Sequence, residues 1–256
     1  MRCVITTDDG IDAPGLRALH GALREFSDVV VVAPAEEWSG CGHCAPLRRP
    51  IAVERRRHPE YGDVYVVHGQ PPDCTRLALT ELLAERPDAV VAGINRGANI
   101  GVDVYYSGTV AAAREAGILG CPGIAISQLV LADSPVDWPA ATARARCVLE
   151  PLLREVAGAK PAAIWNVNLP HLPTDAQPKG IARVPIAVTP NAMHYDKQAH
   201  GDNRTVYHYA ARYPDRVRPP DTDVACVFDG WVTLSQLTLE TTCPSLRVER
   251  RGWEVS

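Results

Sequence analysis

The sequence lacks several features that would assign it to large classes of proteins. Its 256 residues contain no apolar run approaching the roughly 18–20 residues that a membrane-spanning helix requires. A basic excess is also missing, since 26 lysines and arginines against 30 aspartates and glutamates give a net charge of −4; this argues against a dedicated nucleic-acid-binding protein. The first nine residues already include two aspartates, where a signal peptide would still be apolar. We therefore expect a cytoplasmic protein that binds neither a membrane nor a nucleic-acid polymer.

Common cofactor and metal motifs are missing as well. No Gly-x-Gly-x-x-Gly follows the first predicted strand and no Gly-Lys-Ser/Thr occurs, which argues against dinucleotide-binding and P-loop proteins. The eight cysteines are irregularly spaced and do not form a small disulfide framework. Cys41 and Cys44 form a lone C-x-x-C, so buried or incidental thiols are favoured over a structural zinc site. His43 stays a candidate functional residue, because it shares a loop with Ser39.

The first part of the chain alternates short apolar runs with helical patterns. Residues 29–32, 89–92 and 123–126 are continuous apolar runs, which are typical of strands covered on both faces of a parallel sheet. Pro14, a favoured first residue of a helix, precedes leucines at helical spacing. At 46% apolar residues the chain can bury one large core or two modest ones. The alternation predicts an α/β fold with a Rossmann-like, doubly wound, mainly parallel sheet.

The character of the chain changes near residue 169. Before that point the patterns predict a helix over residues 73–85, a helix over 140–156 and a strand over 164–168. After it prolines crowd, and only short β-rich pieces remain, at residues 181–188, 205–209 and 231–239. We expect residues 1–169 to form a core that binds metal and phosphate, and 170–256 to form a hairpin-rich extension in oligomer contacts. An irregular extension folded on its own domain is the alternative.

Polar, glycine-rich segments follow several of the predicted strands. In an open parallel sheet, ligands bind outside the carboxyl ends of the strands, so these segments are expected to converge on one edge. They comprise Asp8 and Asp9 after the first strand, Ser39 and Gly40 after the second, Asn95 and Asn99 after the strand near residue 92, and the start of a helix at Ser107, Gly108 and Thr109.

The paired aspartates predict a metal site at this edge. Two adjacent carboxylates on a tight turn repel each other unless a cation or a proton intervenes. A serine hydroxyl and an asparagine carbonyl would complete an oxygen-only shell, which suits Mg²⁺ or Mn²⁺. The simpler alternative is a solvated turn, since Asp and Gly are ordinary turn residues. The matching segments at the same edge favour the metal site.

The segment 107–109 has the features of an anion-binding helix start. Backbone N–H groups, the positive end of the helix dipole and two hydroxyls would all face a phosphate there. A serine cap followed by a glycine for close packing accounts for the same three residues.

Several segments together resemble the SurE family, the stationary-phase survival proteins with 5′-nucleotidase activity. Residues 6–16, Thr-Thr-Asp-Asp-Gly-Ile-Asp-Ala-Pro-Gly-Leu, resemble the family's opening signature, and the match is strongest at residues 103–110, Asp-Val-Tyr-Tyr-Ser-Gly-Thr-Val. Residues 93–99 also match, and weaker similarities extend past residue 170. The resemblance implies a Rossmann-like core, a metal-dependent phosphatase of nucleoside monophosphates, and a homodimer or homotetramer that exchanges C-terminal segments.

The resemblance also assigns expected roles to the residues at the predicted edge. It implies one divalent ion held by four oxygen-bearing side chains, and a phosphate held mainly by the helix start. The implied metal ligands are Asp8, Asp9, Ser39 and Asn95; the implied phosphate-binding residues are Ser107, Gly108 and Thr109, with Gly40 and Asn99 near them.

One departure from the family concerns Thr7, where the family usually has asparagine. A threonine hydroxyl is shorter and cannot reproduce every contact of an amide. It motivates a rival hypothesis, a nucleotide-binding module without turnover. A nucleotide-sugar transferase is disfavoured, because its paired acids would lie well inside the chain. The leading hypothesis is a phosphomonoesterase with Asp8 and Asp9 as catalytic residues; water attack and a phosphorylated Asp8 both stay open.

Overall fold

The computed structural model describes residues 1–46, 48–131, 134–191, 193–201, 203–211 and 215–241. These residues form a large central sheet, a small separate sheet and helices on both faces of the large sheet. The strands are β1 (Arg2–Thr6), β2 (Asp28–Pro34), β3 (Val53–His58), β4 (Gly62–Val67), β5 (Ala89–Arg96), β6 (Gly123–Gln128), β7 (Ile164–Leu169), β8 (Ile181–Arg183), β9 (Tyr195–Ala199), β10 (Thr205–Tyr209) and β11 (Val232–Leu237). The α-helices are α1 (Pro14–Leu23), α2 (Pro71–Leu77), α3 (Gly108–Ile118), α4 (Trp138–Val156) and α5 (Asp223–Phe228).

The large sheet has nine strands in the order β3-β4-β2-β1-β5-β6-β7-β11-β8. The six strands from β4 to β7 in this order are parallel, whereas β3 and β11 run antiparallel to their neighbours β4 and β7. The predicted α/β class with a doubly wound, mainly parallel sheet is thus confirmed. Strands β2 and β4 lie on one side of β1, and β5 to β7 lie on the other. The junction of β1 and β5 is therefore the topological switch point, outside which ligands bind in such folds.

The core lies on both faces of the central strands, which explains why their sequences are continuously apolar. In β1 the side chains of Cys3 and Ile5 belong to the same buried apolar cluster as Leu19 of α1 and Leu149 of α4, while Val4 belongs to a second cluster that includes Cys74 of α2. Burying one such side chain stabilises the fold by about 1.5–3 kcal/mol. The first strand and its turn are consequently held in a rigid setting.

Two of the predicted helices differ from the observed ones in extent. The helix predicted over residues 73–85 begins earlier, at Pro71, and α2 gives way after Leu77 to a π-helical turn, Ala78–Leu82. The helix predicted over residues 140–156 is α4, which begins at Trp138 and contains Pro151. Among the described residues, no helix is both long enough and apolar enough to cross a membrane.

The chain beyond residue 169 takes two different roles. Strands β8 and β11 extend the large sheet beyond β7, while β9 and β10 pair with each other in a separate antiparallel ribbon. The buried carboxylate of Asp223 accepts hydrogen bonds from the backbone N–H groups of Gly101 and Ala187, both at 2.8 Å. The segment is therefore tied to the loop that leads into α3. Its predicted part in contacts between subunits stays a prediction.

Candidate active site at the carboxyl edge of the sheet

The carboxyl ends of three neighbouring strands form the edge that the sequence predicts as a site. Strand β1 ends at Thr6, which is opposite Ala92 of β5, and β2 lies on the other side of β1. A loop of residues 35–46 follows β2 and carries Ser39 and Gly40; we call it the serine loop. The two aspartates thus follow the strand that borders the switch point.

The turn after β1 is shaped by Thr7. Its side chain is fully buried, and its Oγ1 accepts a hydrogen bond from the backbone N–H of Asp9 at 3.1 Å. A side-chain oxygen that accepts from the backbone two residues on stabilises a tight turn, as asparagine and aspartate do. Gly10 follows with φ +90°, a conformation that favours glycine. Threonine therefore supplies the oxygen that shapes this turn.

Asp8 is held against the start of α3. Its side chain is buried, and the Thr109 hydroxyl donates to its Oδ1 at 2.5 Å. The backbone N–H of Thr109 also donates to this carboxylate. Gly108 permits the close approach, because a Cβ at that position would lie 2.9 Å from the Cβ of Asp8 and 3.0 Å from its Oδ2. Burial raises the pKa of Asp8, and the Thr109 hydroxyl opposes part of that rise.

Asp9 is half-buried beside the end of β5. Burial, and secondly the charge of Asp8, raise the pKa of Asp9 to about 6, while a hydrogen bond from the backbone N–H of Arg96 lowers it. The nearby carboxylate of Glu37 raises the pKa of both aspartates further. A cation that binds between two such acids relieves the repulsion between their carboxylates, so its binding there is favourable.

The serine loop brings Ser39 to this edge without burying it. The backbone N–H of Trp38 donates to the carbonyl oxygen of Asp8 at 2.7 Å, so the residue before Ser39 is attached to the turn itself. The hydroxyl of Ser39 donates to Glu37 at 2.7 Å, and both Ser39 and Gly40 are exposed. Gly40 has φ +72° and open space where a Cβ would lie.

Asn95 and Asn99 take different positions at the end of β5. The side-chain N–H of Asn95 donates to the carbonyl oxygen of Gly97 at 2.7 Å, which directs its amide nitrogen into the loop. Asn99 is buried, and its side-chain N–H donates to the hydroxyl of Ser127 at 2.8 Å. Its backbone N–H donates to the side chain of Asn168 at 2.9 Å. Asn99 is therefore anchored in the interior, and its part in phosphate binding stays a prediction.

The helix start at residues 107–109 combines a cap with a close contact. The hydroxyl oxygen of Ser107 accepts from the backbone N–H of Val110 at 3.0 Å, the usual arrangement of a serine N-cap. All three predicted phosphate-binding residues of this segment are buried. Because Asp8 accepts from Thr109, its carboxylate lies at the positive end of α3.

The described residues contain no group of three or more histidines, cysteines, aspartates and glutamates that could hold a metal ion. A cation at this edge would depend on mixed oxygen donors. The structure brings Asp8, Gly108 and Thr109 into contact, attaches the serine loop to Asp8, and places the end of β5 against Asp9. Glu37 and Arg96 are site residues that sequence reasoning did not select. An acid two positions before Ser39 was the available signal for Glu37.

Comparison with known proteins shows the family of the chain. The family model described as "Survival protein SurE" matches residues 3–194. The chain belongs to the SurE family. Proteins named 5′-nucleotidase SurE from Heliobacterium modesticaldum and Pseudomonas putida are each 37% identical to it, over 254 and 255 residues. The alignments cover 99% of this chain in both cases, and 92% and 98% of the relatives.

The SurE likeness extends to three dimensions. A crystal structure of the SurE protein from Aquifex aeolicus superposes with a TM-score of 0.81 at 31% identity. The superposition covers 94% of this chain and 95% of the Aquifex chain. This SurE-family chain therefore shares the fold of that protein over 94% of its length.

Proposed function

We propose that this SurE-family protein is a divalent-metal-dependent phosphomonoesterase that hydrolyses nucleoside 5′-monophosphates to nucleoside and phosphate. The observation that carries the proposal is the pair Asp8 and Asp9, two acids with raised pKa values beside the start of α3. The relatives named 5′-nucleotidase supply the substrate class. Nucleoside 3′-monophosphates are included as candidate substrates.

The donor set fits one Mg²⁺ or Mn²⁺ ion per subunit. Asp8, Asp9, Ser39 and Asn95 would hold it through oxygen atoms, which hard divalent cations prefer. The amide nitrogen of Asn95 is already bonded to Gly97, which leaves its side-chain oxygen as the available ligand atom. When bound, such an ion supplies positive charge that offsets the charge of the phosphate and makes water a better nucleophile.

Different groups of the chain orient the Asp8 carboxylate, favour the negative charge of the phosphoryl group and accept a proton. The Thr109 hydroxyl and backbone N–H fix the orientation of the Asp8 carboxylate. The positive end of α3 favours the negative charge of a phosphoryl group during transfer. Asp9 is less buried than Asp8, and a backbone N–H of Arg96 orients its carboxylate, so we assign it as the acceptor of the proton that leaves the attacking water.

Phosphate release from purified protein tests the proposal. Nucleoside 5′- and 3′-monophosphates are supplied with Mn²⁺ or Mg²⁺, with and without a chelator, to the wild type and to Asp8→Asn and Asp9→Asn. We expect metal-stimulated release by the wild type and a loss of at least a hundredfold in each variant, since each removes a charged ligand. Asp63→Asn, at a surface aspartate paired with Arg55, is the control. Full activity in both site variants refutes the proposal; nucleotide binding without release favours the binding-module hypothesis.

The proposal includes a homodimer or a homotetramer in which the segment beyond residue 169 contributes to the contacts. Its exposed ribbon of β9 and β10 carries Tyr195, Tyr207 and Tyr209, which are large apolar side chains on a free surface of the single chain. Size-exclusion chromatography with multi-angle light scattering measures the mass of the assembly directly. A mass of one chain at micromolar concentration contradicts this part.

A further inference from the structure

Contacts on both sides of its exposed residues Ser39 and Gly40 attach the serine loop to the rest of the molecule. On one side of Ser39 and Gly40, the N–H of Trp38 donates to the carbonyl oxygen of Asp8 at 2.7 Å. On the other side, the N–H of Gly42 donates to the carbonyl oxygen of Tyr106 at 2.9 Å. A third contact joins Nε2 of His43 to Oε2 of Glu115 at 2.6 Å. Two attachments therefore fix the loop beyond Ser39, and one of them is a side-chain pair.

Glu115 lies on the helix that starts at the phosphate-binding segment. It belongs to α3, two turns after Ser107, and its side chain is only 5% exposed. Burial by itself raises the pKa of Glu115, but the hydrogen bonds from His43 and Arg76 outweigh burial and hold the pKa below its ordinary value. A buried carboxylate of this kind must be paired, so the His43 contact has a strong electrostatic basis.

The partners of Glu115 are themselves fixed. Nε of Arg76 donates to Oε1 of Glu115 at 2.8 Å, and the same guanidinium donates to the fully buried Asp73 at 2.9 Å. Asp73 also accepts from the backbone N–H of Gln70 at 3.0 Å, at the start of α2. Asp73, Arg76 and Glu115 thus form an alternating row of charges between α2 and α3, and His43 ends that row on the serine loop.

We infer that His43 is a positioning residue that holds the serine loop against α3 and so sets where the Ser39 hydroxyl stands relative to Asp8 and Asp9. The inference rests on the proposed function, because it concerns the metal ligands named there. The hydrogen bond of the His43 side chain is to Glu115 and not to one of those ligands. His43 acts through the loop backbone, in the way that groups around a metal site orient the ligands themselves.

Direct measurement of metal binding tests the inference. Mn²⁺ is titrated into chelator-treated wild type, His43→Ala, His43→Gln and Glu115→Gln, and free Mn²⁺ is followed by its electron paramagnetic resonance signal. We expect His43→Ala and Glu115→Gln to weaken Mn²⁺ binding about tenfold. This is the lower end of the range of affinity losses that follow when a group that orients a metal ligand is removed. Glutamine at residue 43 retains an N–H donor and should stay within about threefold of the wild type.

Activity assays separate positioning from general damage. The Mn²⁺ concentration for half-maximal phosphate release should rise in His43→Ala by the same factor, with kcat at saturating Mn²⁺ within about threefold of the wild type. The matched control is His194→Ala, at an exposed histidine that directly precedes β9 and pairs with Asp196 at 3.4 Å. It should change neither quantity. Thermal unfolding without metal shows whether each variant is folded. If His43→Ala does not fold, the Mn²⁺ affinity of Glu115→Gln tests the positioning role instead.

The outcomes distinguish this inference from the proposed function. If the wild type binds Mn²⁺ and releases phosphate while folded His43→Ala binds Mn²⁺ equally well, the positioning role is refuted and the proposed function stands. A fall in kcat without a change in Mn²⁺ affinity refutes it too. If the wild type itself neither binds Mn²⁺ nor releases phosphate, the proposed function fails first.

Discussion

Asp9→Asn is expected to stabilise the metal-free protein at pH 8 although it removes activity. Burial, and secondly the charge of Asp8, raise the pKa of Asp9 from 3.8 to about 6. At pH 8 the folded protein therefore holds an ionised carboxyl in a setting that favours the neutral form. The unfolded chain has no such penalty, and an asparagine has none in either state.

The size of the effect follows from the shift in the pKa. A rise of about two units at about 1.4 kcal/mol per unit corresponds to roughly 3 kcal/mol. Because Asp9 is partly exposed, solvent screening lowers this to about 2 kcal/mol. The protonated Asp9 carboxyl adds to the free energy of unfolding. This contribution is complete below pH 3.8 and is lost as the pH rises through about 6, the pKa of Asp9 in the folded protein. The advantage of Asp9→Asn should thus be largest at pH 8 and shrink toward zero near pH 4.

Urea unfolding with a chelator at pH 4 and pH 8 measures this difference. At pH 8 the variant should gain about 2 kcal/mol, or about 4–8 °C in Tm for a chain of this size. Asp63→Asn, whose side chain is 66% exposed, should change the free energy of unfolding by less than about 0.5 kcal/mol. Excess Mn²⁺ should reverse the order, since a ligand at 100 times its Kd stabilises the wild type by about 2.7 kcal/mol. No gain at pH 8, or an equal gain at pH 4, would refute the reasoning.

Two further substitutions test contacts of the site, and a third tests the link between the segment beyond residue 169 and the loop that leads into α3. Gly108→Ala places a Cβ 2.9 Å from that of Asp8; we expect a stability loss of about 1–3 kcal/mol and at least a tenfold fall in phosphate release, and a wild-type rate would contradict this. Thr109→Val removes the hydroxyl that lowers the pKa of Asp8, so the acidic limb of the pH–rate profile should move to higher pH; an unchanged profile argues against the contact. Asp223→Ala leaves the N–H of Gly101 without its acceptor, which should lower the free energy of unfolding by about 3 kcal/mol in urea; a loss below about 1 kcal/mol would contradict the link.

The buried parallel strands could be predicted from the sequence because burial on both faces leaves a continuous apolar run. β3 could not, since its residues 54–57 are Glu-Arg-Arg-Arg and lie exposed at the end of the sheet. Pairing with β4 on one side alone holds it in place, and that partnership has no local signature. β9 was missed for a similar reason, because all of its residues are exposed and it pairs only with β10.

The residues at the edge of the sheet could be predicted better than their hydrogen-bond partners. Strand order brings Asp8, Asp9 and the helix start together, and a residue's place after a strand is visible in the sequence. Which donor each oxygen takes depends on packing in three dimensions. Asn99 illustrates this, since its amide binds Ser127 of β6 in the interior. The contact between His43 and Glu115, 72 residues apart, has no pattern in the sequence either.

The pairing of β11 with β7 affects how the protein can be shortened. A fragment ending at residue 169, where the composition changes, would expose the hydrogen-bonding edge of β7, a strand whose six residues are all buried in the intact chain. An open apolar edge of this kind is a template for intermolecular β-pairing and aggregation. Expression of the first part of the chain alone should therefore give insoluble material, even though every predicted metal ligand lies within it.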